Sequence, residues 1–349
     1  MSENKTFLVT GGSGYAASWI VQQLLEQGHS VRCTVRDKSK TGKYQHLLDV
    51  ADKSPGTLEV FSADLLREGS FDAACAGADV VLHTASPFMI GKIKDPQKQL
   101  IDPALKGTRN VLTSVNKTDS VKRVVLTSSV VSIYCDSKEL SETPNGEFTE
   151  EMWNGNASLK YQPYSYSKTL AEKEAWKMAE AQDRWDLVVI NPSFILGPSL
   201  TPRKDSASIN FMLSLLNGTY KSGVPDLHFG IVDVRNIAEA HVLAATRPEA
   251  NGRYIVSNTS KSMLGIADSI RAAYGNKYAK LPKRKLPKFL MYLFGPLQGF
   301  SWKYVGRNVG WPIKFNNSRS KDLGVQYLAL EQTLKDHVEQ IEAGGFLKD

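Results

Sequence analysis

The stretch that most limits the fold is Thr6-Phe7-Leu8-Val9-Thr10, followed at once by Gly11-Gly12-Ser13-Gly14-Tyr15-Ala16-Ala17. The first five residues read as a short apolar strand, and Ser18 to Gln27, closed by Gly28, reads as a helix. A strand that turns straight into a helix through glycines leaves backbone N–H groups at the helix N-terminus facing a space free of side chains, and a pyrophosphate fits there. Ala17 stands at the third small position, where the need is close packing of helix on strand. A tight turn with no ligand is the competing reading.

Further strands are expected at Ser30–Val35, Leu58–Ser62, Ala78–His83, Arg123–Thr127 and Leu187–Asn191, with helices between them, including Gln97–Val115 and a long run from Pro163 to Ala181. That alternation implies an α/β fold, a doubly wound parallel sheet of Rossmann type covered on both faces. After Asn191 the organisation changes. A return segment at Phe229–Val234, a helix at Arg235–Thr246, a strand at Arg253–Ser257 and further helices suggest a smaller, interwoven C-terminal lobe. The expected division is residues 1–190 with about 231–257 for the dinucleotide, and 191–230 with about 258–349 for a substrate, held in the cleft between them.

The end of the second strand selects the dinucleotide. An acidic residue there would bind a ribose 2'-hydroxyl, whereas arginine accommodates a 2'-phosphate. Arg36 comes first and Lys43 follows, so NADPH is expected over NADH, with Asp37 the dissenting residue. Asp64 and Leu65 end the third strand, where they can cover the adenine, although Asp64 competes as a helix cap. Thr84, Ala85 and Ser86 end the fourth strand on the same ligand-bearing edge. His83 reads as a packed strand residue, having no evident carboxylate or nucleophile beside it.

Tyr164 and Lys168 are four residues apart at the start of the long helix, so they share one face. A phenol with a pKa of about 10 becomes a better proton donor when an adjacent cation favours its ionised form. Tyr134 and Lys138 repeat the spacing, but in a turn-rich region without a helical pattern to hold it. Ser128 and Ser129 end the fifth strand. Ser129, thirty-five positions before Tyr164, can meet it across the sheet edge, and Ser128 is the alternative hydroxyl donor.

The chain of 349 residues carries a formal charge of +7 with both signs distributed throughout, apart from a basic cluster at Lys277, Lys280, Lys283, Arg284, Lys285 and Lys288 that is expected to be solvated. Three scattered cysteines, Cys33, Cys75 and Cys135, fit a reducing compartment and argue against a disulfide framework or a zinc site. No run reaches the length of a membrane span, and the opening residues leave no room for a signal peptide. A cytoplasmic protein is expected, with no metal and no nucleic-acid or membrane partner.

Taken together, Thr10-Gly11-x-x-Gly14-x-x-Ala17, Thr127-Ser128-Ser129 and Tyr164-x-x-x-Lys168 resemble the extended short-chain dehydrogenase/reductase family, the NAD-dependent epimerase/dehydratase superfamily. The closer likeness is to its dihydroflavonol reductase, cinnamoyl-CoA reductase and microbial carbonyl reductase branch. It is supported by Gly107-Thr108-Arg109-Asn110-Val111-Leu112, Asn191-Pro192-Ser193, Val232 to Asn236 and Asn317 to Gly324. The resemblance implies Ser129, Tyr164 and Lys168 as catalytic, with Gly11, Gly14, Tyr15, Arg36, Lys43, Asp64, Leu65, Thr84, Ala85, Ser86 and Pro192 around NADPH. It offers Asn110 as a supporting asparagine. The sequence around Tyr164 departs from the cinnamoyl-CoA reductase signature, and Ser132, Ile133 or Tyr134 stands where flavonoid reductases place an asparagine. These departures leave an NADPH-dependent reductase of a small-molecule aldehyde or ketone as the expectation, monomeric or dimeric. A nucleotide-sugar epimerase or dehydratase with recycled NAD, and a non-catalytic NADP-binding sensor, are the alternatives.

Overall fold

The computed structural model describes residues 5–86, 93–201 and 206–347. In its first half, β1 (Thr6–Thr10), α1 (Tyr15–Glu26), β2 (Ser30–Val35), α2 (Gln45–Ala51), β3 (Thr57–Ser62), α3 (Asp72–Cys75) and β4 (Val80–His83) alternate. They continue through α4 (Asp102–Asn116), β5 (Arg123–Thr127), α5 (Pro163–Glu180) and β6 (Asp186–Pro192). A π-helical turn, Gln97–Ile101, leads into α4 where a plain helix was expected, and Pro103 in the first turn of α4 fits that change of winding.

Beyond β6 come β7 (Phe194–Leu196), α6 (Ala207–Leu216), β8 (His228–Asp233), α7 (Val234–Thr246), β9 (Gly252–Val256) and β10 (Thr259–Ser262). The chain ends with α8 (Met263–Tyr274), α9 (Lys288–Phe294), α10 (Trp302–Asn308), α11 (Ser318–Asp322) and α12 (Leu330–Ala343).

Seven parallel strands form the main sheet in the order β3-β2-β1-β4-β5-β6-β9. Alternate residues of each strand serve opposite faces. Phe7 and Val9, Val80 and Leu82, and Val188 and Ile190 pack under α1, α2 and α7. Leu8, Val81, Val124 and Val189 pack under α3, α4 and α5. Burial on both faces is why these strands read as nearly continuous apolar runs.

A second sheet, β10-β8-β7, is wrapped by α6, α8 and α12 around Leu196, Met212, Ile231 and Ile266. The chain crosses back to the main sheet at Asp233–Val234, so α7 and β9 join the first domain while β8 stays with the lobe. The aromatic-rich stretch from Lys288 divides its duties. Met291, Val305 and Val309 make a small core, whereas Phe289, Leu293, Leu297 and Trp302 are exposed. In the basic cluster, Lys277 pairs with Glu342, Lys285 pairs with Asp226, and Lys288 donates to backbone carbonyls. All three cysteines are buried and free. Among the described residues, no helix is long and apolar enough to cross a membrane.

Candidate active site

Because the main strands are parallel, the segments leaving β1, β4, β5 and β6 emerge on one edge, with the topological switch point between β1 and β4. The glycine turn there is fitted closely to its neighbours. Gly11 has φ +68, and a Cβ on it would lie 3.1 Å from Ala85 Cβ. Gly14 donates its N–H to the Gly11 carbonyl at 2.8 Å and caps α1 with no side chain, leaving the first helical turn open to an anion. The closest approach belongs to Gly12, where a Cβ would stand 2.5 Å from Cys33 Cβ. Gly12 is thus the position that lets turn and strand meet, a role the glycine spacing alone does not isolate.

The other cofactor candidates lie around this turn. Thr10 accepts the Thr84 and Ala85 N–H groups, each at 3.1 Å, which fixes the loop after β4. With both lone pairs so used, the Thr10 hydroxyl donates to His83 Nδ1 at 2.9 Å, which puts the neutral ring's proton on Nε2. Burial and then the nearby Lys168 cation push His83 down to about 3. Arg36 and Lys43 are exposed at the end of β2 and just beyond, and neither has an ion-pair partner among the described residues. Asp37, the dissenting residue, is turned to its own loop. It accepts the Ser39 N–H and hydroxyl at 3.0 and 2.6 Å, bonds that hold its carboxyl below the usual range.

Asp64 accepts the Leu66 N–H at 2.8 Å within a turn, and no helix starts there, so the helix-cap alternative is not met. Asn110 donates to the Leu65 carbonyl at 2.7 Å, so it supports the Asp64–Leu65 loop. The Tyr15 hydroxyl donates to the Gly197 carbonyl at 2.6 Å, joining α1 to the smaller lobe. Pro192 is the buried last residue of β6, and Ser86 lines a small cavity of about 20 Å³ with Lys168, His83, Thr127, Ser128 and Glu172.

Tyr164 and Lys168 fall in the first two turns of α5, with Pro163 at its first position. The expectation that Lys168 lowers the Tyr164 pKa is not met in this arrangement. Surrounding protein pushes the phenol up to about 12, and no cation offsets the rise. Tyr164 keeps 40% of its surface exposed, so water screens part of that effect. Lys168 moves the other way, down to about 8, because burial outweighs the attraction of Glu172 one turn along. Tyr134 and Lys138, which repeat the spacing, have separate partners: Tyr134 stacks on Phe148 in a buried cluster, and Lys138 lies over Trp311.

The two serines are distinguished by Glu172, which sequence reading passed over. Ser128 is buried and its hydroxyl donates to Glu172 Oε2. Ser129 caps the short turn Val130–Ser132, where its Oγ accepts the Val131 N–H at 3.3 Å and its own proton has no acceptor among the described residues. Glu172 also receives Ser132 and Asn191 on Oε2, and Arg253 on Oε1 at 2.6 Å. Arg253 in turn donates to the Glu150 and Met152 carbonyls at 2.6 Å each. The available signal was Glu172's place on the Tyr164–Lys168 face, one turn past Lys168, where burial obliges a carboxylate to find partners.

The family model for the NAD dependent epimerase/dehydratase family matches residues 7–258. Cinnamoyl-CoA reductase CAD2 of Medicago truncatula is 37% identical over 342 residues, which cover 97% of this chain and 96% of that protein. The crystal structure of Gre2 from Candida albicans in complex with NADPH has a TM-score of 0.78 at 29% identity, covering 97% of this chain and 99% of that one. Yeast methylglyoxal/isovaleraldehyde reductase Gre2, also complexed with NADPH, has a TM-score of 0.78 at 27% identity with the same coverage. The strand order, the glycine turn and a family match over most of the chain lead to one conclusion: this protein belongs to the NAD dependent epimerase/dehydratase family, the extended short-chain dehydrogenase/reductases.

Proposed function

We propose that the protein reduces an aldehyde or ketone carbonyl to an alcohol with NADPH. The observation that carries this reading is the pairing of Tyr164 and Lys168 on one face of α5, with the Ser129 hydroxyl proton left without an acceptor among the described residues while that of Ser128 is held by Glu172. Relatives named as reductases, and two Gre2 structures in complex with NADPH, support it.

Gly11, Gly14, Tyr15 and the open first turn of α1 would hold the pyrophosphate end of the cofactor. Arg36 and Lys43 would take its 2'-phosphate, Asp64 and Leu65 its adenine, and Thr84, Ala85, Ser86 and Pro192 the remainder. When bound, NADPH supplies the hydride. Ser129 and Tyr164 donate hydrogen bonds to the substrate oxygen and stabilise negative charge as it forms there. Tyr164 then gives up its proton, and the Lys168 cation on the same helix face, which does not offset the raised phenol pKa in the protein alone, would stabilise the phenolate once the cofactor is bound. A positioned general acid contributes roughly 10² to 10⁴-fold. The substrate is a small carbonyl compound and the protein is cytoplasmic in this reading.

Tyr164→Phe should lose most turnover, about 10²-fold or more, while binding NADPH normally. Near-parental NADPH oxidation by that variant across a panel of aldehydes, ketones and diketones would refute the assignment. Ser129→Ala should lose turnover without loss of stability, whereas Ser128→Ala should chiefly destabilise the fold; the reverse pattern would exchange the two roles.

A further inference from the structure

Gln162 is the only non-glycine residue with positive φ among the described residues, at φ 52 and ψ 57, and it stands at the N-cap of α5 two positions before Tyr164. A residue of this type is rarely left-handed unless its surroundings hold it so. Here the side chain supplies the hold. Its Nε2 donates to the Cys135 carbonyl at 2.7 Å and to Asp136 Oδ1 at 3.0 Å. The neighbouring Tyr161 hydroxyl donates to the same oxygen at 2.6 Å.

Asp136 has no exposed surface, and two more donors reach it from α10. Arg307 Nε donates to Oδ2 at 2.6 Å and Asn308 Nδ2 to Oδ1 at 2.7 Å, while Asn308 Oδ1 accepts the Ser137 N–H at 3.0 Å. One buried carboxylate therefore joins the segment that leaves β5 through Ser129, the start of the helix that carries Tyr164, and a helix near the C-terminus.

Cys135, Asp136 and Glu139 place ligand atoms within 4.8 Å of one another, which raises the question of a metal. The donors already present answer it. Asp136 takes four of them, and Glu139 accepts the Cys135 N–H at 3.0 Å and Asn156 at 2.8 Å, with Arg307 3.8 Å away. The cluster is the acceptor half of an ion pair whose cation is Arg307.

We propose that Asp136, braced by Arg307 and Asn308, is a positioning residue that holds Gln162 in its left-handed turn and so sets where the Tyr164 hydroxyl stands relative to Ser129. This rests on the reductase reading of Tyr164. It follows that the C-terminal region, besides shaping the cleft, aims the proton donor. Disturbing the brace should then slow chemistry and spare dinucleotide binding.

Two variants probe it: Asp136→Asn keeps the shape and removes the charge, and Gln162→Gly removes the tether while glycine adopts the turn freely. NADPH affinity is measured by fluorescence titration and reduction of a saturating aldehyde in single turnover, alone and combined with Tyr164→Phe. Each single variant should react about tenfold or more slowly, as expected when a reacting group is displaced by a fraction of an ångström, with NADPH affinity changed less than about twofold. In the Tyr164→Phe background, Gln162→Gly should add less than about twofold, because it acts through that phenol. A Gln162→Gly rate within about twofold of the parent, or a tenfold loss repeated in both backgrounds, overturns the proposal. Should Asp136→Asn not fold, the Gln162→Gly cycle decides alone. Parental turnover by Tyr164→Phe itself would instead refute the reductase reading, and the two failures are told apart by that control.

Discussion

Replacing Arg253 with methionine should be among the most destabilising single changes in this chain. Arg253 is 7% exposed and Glu172 1% exposed, and their contact at 2.6 Å is the carboxylate's only hydrogen bond from a cation among the described residues. Removing the guanidinium leaves a buried carboxylate hydrogen-bonded by hydroxyls and an amide, with only the attraction of Lys168 to offset its charge, and strips a donor from the Glu150 and Met152 carbonyls. Breaking a buried pair from one side costs about 3 to 5 kcal/mol, a large part of the roughly 5 to 15 kcal/mol that holds a folded domain together. Glu172→Gln removes the charge from the other side. In the double variant nothing charged is stranded, so its loss should fall short of the sum of the single losses by about 2 kcal/mol. Urea unfolding followed by tryptophan fluorescence reads this, with Trp153, whose ring lies 4.0 Å from the Arg253 guanidinium, among the reporters. Single losses that simply add, to within about 0.5 kcal/mol, would refute the reasoning.

Other outcomes follow from the same geometry. Arg36→Ala should raise the KM for NADPH much more than for NADH, by about tenfold to a hundredfold, since a charge-assisted contact is worth roughly 1.5 to 3 kcal/mol; equal effects would remove the 2'-phosphate role. Turnover that needs the Lys168 cation should fall as pH rises through about 8, and an unchanged rate to pH 10 would exclude that need. The stability effect has the opposite sense. Because the folded value lies below the ordinary lysine value of about 10.5, this group's destabilising contribution is full below about 8 and fades as pH rises to about 10.5. Gly12→Ala should destabilise by about 1 to 3 kcal/mol, because its Cβ would stand 2.5 Å from Cys33 Cβ; a stability equal to the parent's would show that β2 yields there.

The large sheet was legible because its inner strands β1, β4, β5 and β6 are buried on both faces, and the run from Arg123 to Thr127 can hardly be anything else. The Tyr164 helix announced itself through Pro163 and its length. The small sheet was partly hidden: β10, Thr259–Ser262, is polar and half-exposed, and is held by pairing with β8 rather than by apolar pattern. In the proposed site, local spacing suggested Ser129, Tyr164 and Lys168 and missed the partners that brace their surroundings. Glu172 meets Arg253 eighty-one positions on, and Asp136 meets Arg307 after a separation of 171. Partners so far apart leave no periodic trace, and only the fold brings them together. Spacing also suggested an acid-strengthening effect of Lys168 that the fold does not show, because burial, which spacing does not report, acts on both groups at once.

Between the last residue of β6, Pro192, and the first of β7, Phe194, there is only Ser193, whose N–H still bonds to the Val256 carbonyl at 3.1 Å. Just past β7, Gly197 and Pro198 are gripped from α1 by Tyr15 and Trp19. This crossing has no slack for added residues. Length variants of the protein should therefore tolerate extra loop on the outer side of Pro198 and reject it between 191 and 198, where one inserted residue would reverse the inward and outward alternation of β7.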